Sequence, residues 1–392
     1  MLASHCSALG SRPAQIVAAV FALAVLLPGA AQAELSLVDA GTHSITDSIV
    51  TSFSPGHSVA NYLGAFDIVI NPNATLAGNA PALAAFNRAA AQWEAIIADP
   101  ITVNIDARLA SLGPGILGST AAVTLSADYY SIGSAMYVDS LNEPDDAIVG
   151  ALPLNPTFKL PAGFSTGPQL NLSLTKANAK ALGFTGLDGA FGASDGSIEF
   201  SNNFNFDFDN SNGVTPGAFD FETVAAHEIG HLLGFISDVD YVDFVLSLNL
   251  TADDVMPTTL DMFRFENGGA DDPGTVGEFT TTPRSLEPGV DAVLDQINDS
   301  GESDAEVRLS TGLTQGDGRQ ASHWKDSLGL GIMDPTLFPG EIVGIGPNDA
   351  RALDLIGYEI YSVPEARAYL LLSTVACLVG WRAAAKRRHR GA

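Results

Sequence analysis

Residues 227–238 read HEIGHLLGFISD, and no other stretch constrains the fold as much. Two histidines stand four residues apart. On a helix their imidazoles share one face about one turn apart, where a single ion can sit between them. The flanking residues favour that helix. Asp220 has the side chain of an N-cap, Val224, Ile229, Leu232 and Leu233 supply an apolar surface, and Gly234 is placed to end the run that starts at Phe221. Two imidazoles leave the site incomplete. A catalytic zinc takes three protein ligands and keeps one position for water, so the chain must fold back to bring a third.

The residue types suit hydrolysis. Neutral imidazoles bind zinc through nitrogen, and zinc lowers the pKa of its bound water towards neutrality. Glu228 follows the first histidine and points at that water; it is placed to take the water's proton and hand it to a leaving amine.

The pattern His-Glu-x-x-His-x-x-Gly resembles the metzincin clan of zinc peptidases. Many metzincins carry a third histidine three residues after the glycine, where this chain has Ser237. The resemblance leaves two readings. Some small secreted metzincin-like proteases use a nearby aspartate, which makes Asp238 or Asp240 the third ligand. The other reading takes SHWKDSLGLGIMDP at residues 322–335, which is similar to the leishmanolysin branch, where a long insertion precedes a Ser-His-Trp and a Met-turn follows. Gly234-Phe235 matches that branch too. His323 is the favoured third ligand, with Asp238 or Asp240 as the alternative. The resemblance further implies that Met333 lies in a Met-turn beneath the metal ligands. It also implies that the strand around Ile198, Glu199 and Phe200 is the edge strand of the cleft, pairing with an extended peptide. The implied fold is α+β: a mixed twisted sheet with an active-site helix in an N-terminal part, residues 60–235, and a smaller irregular C-terminal part, residues 236–360.

Periodicity places other elements. Residues 62–70 and 101–107 read as strands around a helix at 81–98, whose Leu83, Phe86, Ala90, Trp93 and Ile97 recur at helical spacing. Residues 111–170 read as irregular strands and loops, 176–182 as a short helix, 197–201 as a strand and 349–358 as a last helix under the site. Residues 266–320, acidic and Gly-rich, read as a surface insertion. Residues 34–60 are featureless and fit at most a short pro-segment. Asp207 and Asp209, in FNFDFDNSNG, alternate like the start of a calcium loop, although Asn212 and Ala218 occupy positions where that loop needs glycine and an acid.

The ends read as addresses. Arg12, an apolar run from Ile16 to Leu27 and Ala31-Gln32-Ala33 have the layout of a signal peptide spanning 1–33 and cleaved before Glu34. Residues 363–392 resemble the PEP-CTERM sorting signals of Gram-negative bacteria, with Pro-Glu-Ala in place of Pro-Glu-Pro, an apolar segment and a basic end. That implies export to the periplasm, outer surface or medium, with the C-terminus inserted in a membrane at least transiently and open to a sorting enzyme. Cys6 and Cys377 both fall in these ends, so the body between has no disulfide. That body holds 44 of the 45 acidic residues and 11 of the 18 Lys and Arg, a balance that repels nucleic acid. The expectation is a monomeric, exported zinc endopeptidase, residues 34–362, acting on protein or peptide, with zinc and a further place for calcium. The alternative is a non-enzymatic surface or matrix display protein with a structural metal site.

Overall fold

The computed structural model describes residues 31–38, 45–53, 65–142, 146–294 and 307–361. The expected sorting segment at 363–392 and all but the last three residues of the expected signal peptide lie outside these. Those three residues open β1 (Ala31–Val38), which pairs with β2 (Ile45–Phe53). Cleavage before Glu34 would remove the part of β1 that faces Thr51–Phe53. The supposedly featureless stretch 34–60 therefore holds two strands, and Leu35 is fully buried. Serine and threonine between its few apolar residues blur the alternation.

A strand, a helix and a strand follow, as expected: β3 (Asp67–Pro72), α1 (Ala80–Glu94) and β4 (Thr102–Ala110), with β3 and β4 parallel. Asn79 caps α1 by accepting from the Ala82 N–H, and the helix buries Phe86, Ala90 and Trp93. It ends before Ile97, which is buried as its spacing asks but forms a bridge to Ile360.

β5 (Gly118–Ala122) and β6 (Thr124–Asp128) come next, and the chain passes between two sheets at Val123. α2 (Tyr129–Asp139) lies where loops were expected. Ten of its eleven residues are buried, so it has no polar stripe and no helical periodicity to read. β7 (Asn171–Thr175), α3 (Lys176–Ala181) and β8 (Gly196–Ser201) complete the sheets. One runs in the order β3-β4-β8-β5, three parallel strands with β5 antiparallel on the edge. The other, β2-β1-β6-β7, is antiparallel throughout.

α4 (Phe221–Leu233) packs against α1, β5 and β8, and Trp93 Nε1 donates to the Ala226 carbonyl at 2.9 Å. α5 (Val239–Ser247) sits on a small core of its own with Phe164, Val255 and Leu286. A third sheet, β9 (Arg264–Glu266), β10 (Ala292–Leu294) and β11 (Val307–Leu309), corrects the reading of 266–320 as surface. Val293, Leu294, Val307 and Leu309 are buried in the main core. These strands are three residues long, too short for their alternation to stand out. α6 (Pro347–Leu355) is the last helix. The fold is mixed α+β, and one hydrophobic cluster joins Leu35, Phe86, Ile229, Trp324, Met333 and Tyr358, so the parts before and after residue 235 share a core. No helix among the described residues is long and apolar enough to cross a membrane.

Candidate metal centre and its cleft

The three histidines meet at the floor of a cleft of about 800 Å³. α4 presents His227 and His231, with Asp220 Oδ2 capping its first turn through the Thr223 N–H and hydroxyl. The segment after β11 brings in His323. The Nε2 atoms are 3.1 Å apart for His227 and His231, and 3.2 Å for each of the pairs with His323. Each Nδ1 is committed elsewhere, to the carbonyls of Ile332 at 2.8 Å, Phe235 at 2.8 Å and Gln320 at 3.1 Å. A neutral imidazole that donates through Nδ1 has a lone pair on Nε2. Three lone pairs therefore converge at a separation that nothing but a cation relieves. Nitrogen ligands on a tetrahedral zinc with bonds of roughly 2.0–2.1 Å stand about 3.3–3.4 Å apart. The triad fits such an ion, and it is the one group among the described residues with metal-ligand spacing.

Burial keeps the three imidazoles neutral. It lowers the pKa of His227, lowers that of His231 to about 3 with help from His227, and holds His323 well below the usual range. A buried imidazole resists a proton because the charge loses its hydration.

The aspartates weighed as ligands do other work. Asp240 accepts from the Ala321 N–H at 2.6 Å, the Ser322 N–H at 3.1 Å and the Ser322 hydroxyl, which fixes the backbone just before His323. Asp238 Oδ2 accepts from the Met256 N–H at 2.9 Å. Both carboxylates hold loops around the centre, and neither belongs to the ligand cluster.

Met333 is fully buried beneath α4, so close to Gly230 that a Cβ there would collide with its sulfur. Its turn is organised by Asp349, at the start of α6. That carboxylate accepts from Trp324 Nε1 at 2.7 Å and from the N–H groups of Ile332 at 2.8 Å, Met333 at 3.2 Å and Gly346 at 2.7 Å. Since the Ile332 carbonyl receives His227 Nδ1–H and the Met333 N–H of the same peptide unit donates to Asp349, that carboxylate acts on the imidazole through one peptide unit. Asp349→Ala strands four donors, three of them buried, and is expected to cost at least about 3 kcal/mol, read from the denaturant midpoint.

Glu228 faces the same cleft and is 6 % exposed. Thr120 Oγ1 lies 2.7 Å from its Oε2 and 2.8 Å from its carbonyl oxygen. Gly118 leaves the carboxyl room, since a Cβ there would clash with it. Burial raises the Glu228 pKa to about 7, against the pull of the Thr120 hydrogen bond; a cation on the triad would lower it again.

Thr120 and Gly118 belong to β5, and this corrects the expected edge strand. Ile198 and Phe200 lie in β8, inside the sheet, fully buried, with Phe200 against Phe86 and Phe221. Glu199 pairs with Arg108 on β4. β5 is the edge, and its Gly118, Ser119, Thr120 and Ala122 line the cleft. Asp207 and Asp209 lie apart from the centre. Asp207 accepts from the Asp209 and Thr215 N–H groups, and Asp209 from the Ser211 N–H and hydroxyl, so both shape a turn. Comparison with family models, curated proteins and solved structures found no match.

Proposed function

We propose that the chain is a zinc-dependent endopeptidase of metzincin type. The observation that carries this reading is the pairing of three Nε2 atoms at zinc spacing with a buried carboxyl, Glu228, on the same cleft. A purely structural metal site has no use for that carboxyl. Zinc held by His227, His231 and His323 supplies Lewis acidity, acidifying water and polarising a carbonyl. Glu228 takes the proton from the attacking water and delivers it to the leaving amine, with Thr120 holding the carboxyl in place. An extended peptide adds to the open edge of β5 through backbone hydrogen bonds, and the cleft's Phe219, Val224, Leu337 and Val343 receive apolar side chains. The terminal segments, read as signals, make it an exported enzyme.

Casein is the first substrate to try, as it offers unfolded chain. Cleavage is expected from the zinc-loaded protein, its loss with phenanthroline, and its return with zinc. A zinc-loaded protein that cleaves no protein or peptide would favour the display-protein reading. Thr120→Val is expected to lower kcat by about 10-fold with KM unchanged, and Thr120→Ser to restore most of it. Equal effects on kcat and KM would remove Thr120 from this role.

A further inference from the structure

The cleft carries one permanent positive charge. Among the described residues, Arg319 is the one Lys or Arg on its walls. In a body so rich in acids, a cation beside the metal centre stands out.

Arg319 sits near the end of a tight loop after β11, and that loop is held firmly. Asp243 on α5, 3 % exposed, accepts from the Thr314 N–H at 2.8 Å and the Gln315 N–H at 2.7 Å. Asp317 Oδ1 accepts from the N–H groups of Thr311 and Arg319, both at 3.2 Å. The Gly312 N–H donates to the Arg319 carbonyl at 3.0 Å. The backbone at Arg319 is therefore fixed on both sides. One bond aims the side chain: Nε donates to Asp326 Oδ2 at 2.9 Å. Asp326 is held in turn, since its Oδ1 accepts from the Thr336 hydroxyl at 2.7 Å. No acceptor among the described residues bonds Nη1 or Nη2, and the side chain is 42 % exposed. A surface ion pair of this kind adds little stability. What it does is orient the guanidinium and leave its terminal edge open, the edge that can grip a carboxylate with two parallel bonds.

The open edge lies near the reacting centre. Behind burial and the two other imidazoles, the Arg319 charge is a further cause that lowers the His323 pKa. The two walls of the cleft also differ. At the first turn of α4, Thr223 Oγ1 accepts from the Val343 N–H at 3.1 Å, and Phe219, Leu337 and Val343 make that wall apolar. Past the end of α4, the Ser237 N–H donates to Ser322 Oγ at 2.9 Å, which draws in the loop that bears Arg319. Asp334, the acid on the walls besides Glu228, turns its Oδ1 to the Thr336 N–H at 3.1 Å.

We propose that Arg319 selects peptides with an Asp or Glu side chain close to the scissile bond, on the His323 side of the cleft. The inference rests on the reading of this cleft as that of a peptidase. The acidic body repels such a peptide at long range, so the preference comes from contact with the guanidinium and not from steering.

The peptide that casein cleavage shows to be cut fastest tests it, synthesised with both ends capped. Glu, Gln and Lys are placed in turn at each position flanking the scissile bond. At one position Glu is expected to exceed Gln by about 10-fold in kcat/KM, with Lys the slowest. In Arg319→Gln that ratio should fall to about one, and in Arg319→Lys to an intermediate value, with zinc bound in both. Ratios taken within one variant cancel any general loss of activity. No position that prefers Glu, or a preference that survives Arg319→Gln, overturns the proposal. The Gln peptide cut short at that position, with a free C-terminus, tests the other source of a carboxylate. A gain there with none from the capped Glu peptide overturns the side-chain assignment. If the zinc-loaded protein cuts nothing, the peptidase reading fails by itself, and selection is read as binding of capped acidic casein peptides and their Gln counterparts. Tighter binding of the acidic set, lost in Arg319→Gln, upholds the role of Arg319; equal affinities overturn it.

Discussion

Glu228→Gln is expected to cut peptide cleavage at least about 100-fold while the protein keeps its zinc. Glutamine has nearly the shape of the carboxyl and can still meet the Thr120 hydroxyl 2.7 Å away, so the site keeps its packing. What is lost is a base for the attacking water and an acid for the leaving amine. The loss should fall on kcat, since both proton transfers belong to the chemical step and substrate binding rests on β5 and the apolar wall. Glu228 touches none of the three Nδ1 acceptors, so zinc content should be that of the wild type. A variant that retains wild-type turnover would remove Glu228 from the chemistry. One that loses zinc as well would make the carboxyl part of the metal site.

His323→Ala is expected to abolish zinc binding at concentrations that saturate the wild type. Two imidazoles on one helix face leave a zinc half-coordinated. In the wild type, zinc at about 100 times its Kd stabilises the fold by about 2.7 kcal/mol; that increment should vanish in the variant. The metal-free variant should be at least as stable as the metal-free wild type, because one of three opposed lone pairs is gone. Asp240→Asn separates ligand from support. As the residue that pins Ala321 and Ser322, its loss should weaken zinc by about 10- to 100-fold and leave one zinc per chain at saturation. The same total loss from Asp240→Asn as from His323→Ala would return Asp240 to the ligand shell.

Legibility in the sequence follows from how local each feature is. α4 could be read in full because its cap, apolar face and terminating glycine all lie within it. The place of His323 rested on its neighbours, Ser322, Trp324 and Met333, rather than on spacing from His231. The supports were hidden. Asp349 looks like any acid in a helix's first turn, and its four partners come from residues 324 to 346. Asp240 was weighed as a zinc ligand, yet the partners of its carboxylate lie beyond residue 320. The edge strand was misassigned for a related reason. Alternation in GSIEFS marks a strand well because β8 is sandwiched, whereas the true edge, GSTAA, is small-residued so that the Glu228 carboxyl fits beside it. Sequence pattern reports burial, and strand order in a sheet is set by partners far along the chain.

The most direct test of the central claim is a zinc titration of the metal-free protein with casein cleavage followed at each step. Cleavage is predicted to rise in proportion to added zinc and to level off at one equivalent per chain. One zinc bound with no cleavage at any point of the titration, or cleavage indifferent to zinc, would contradict it.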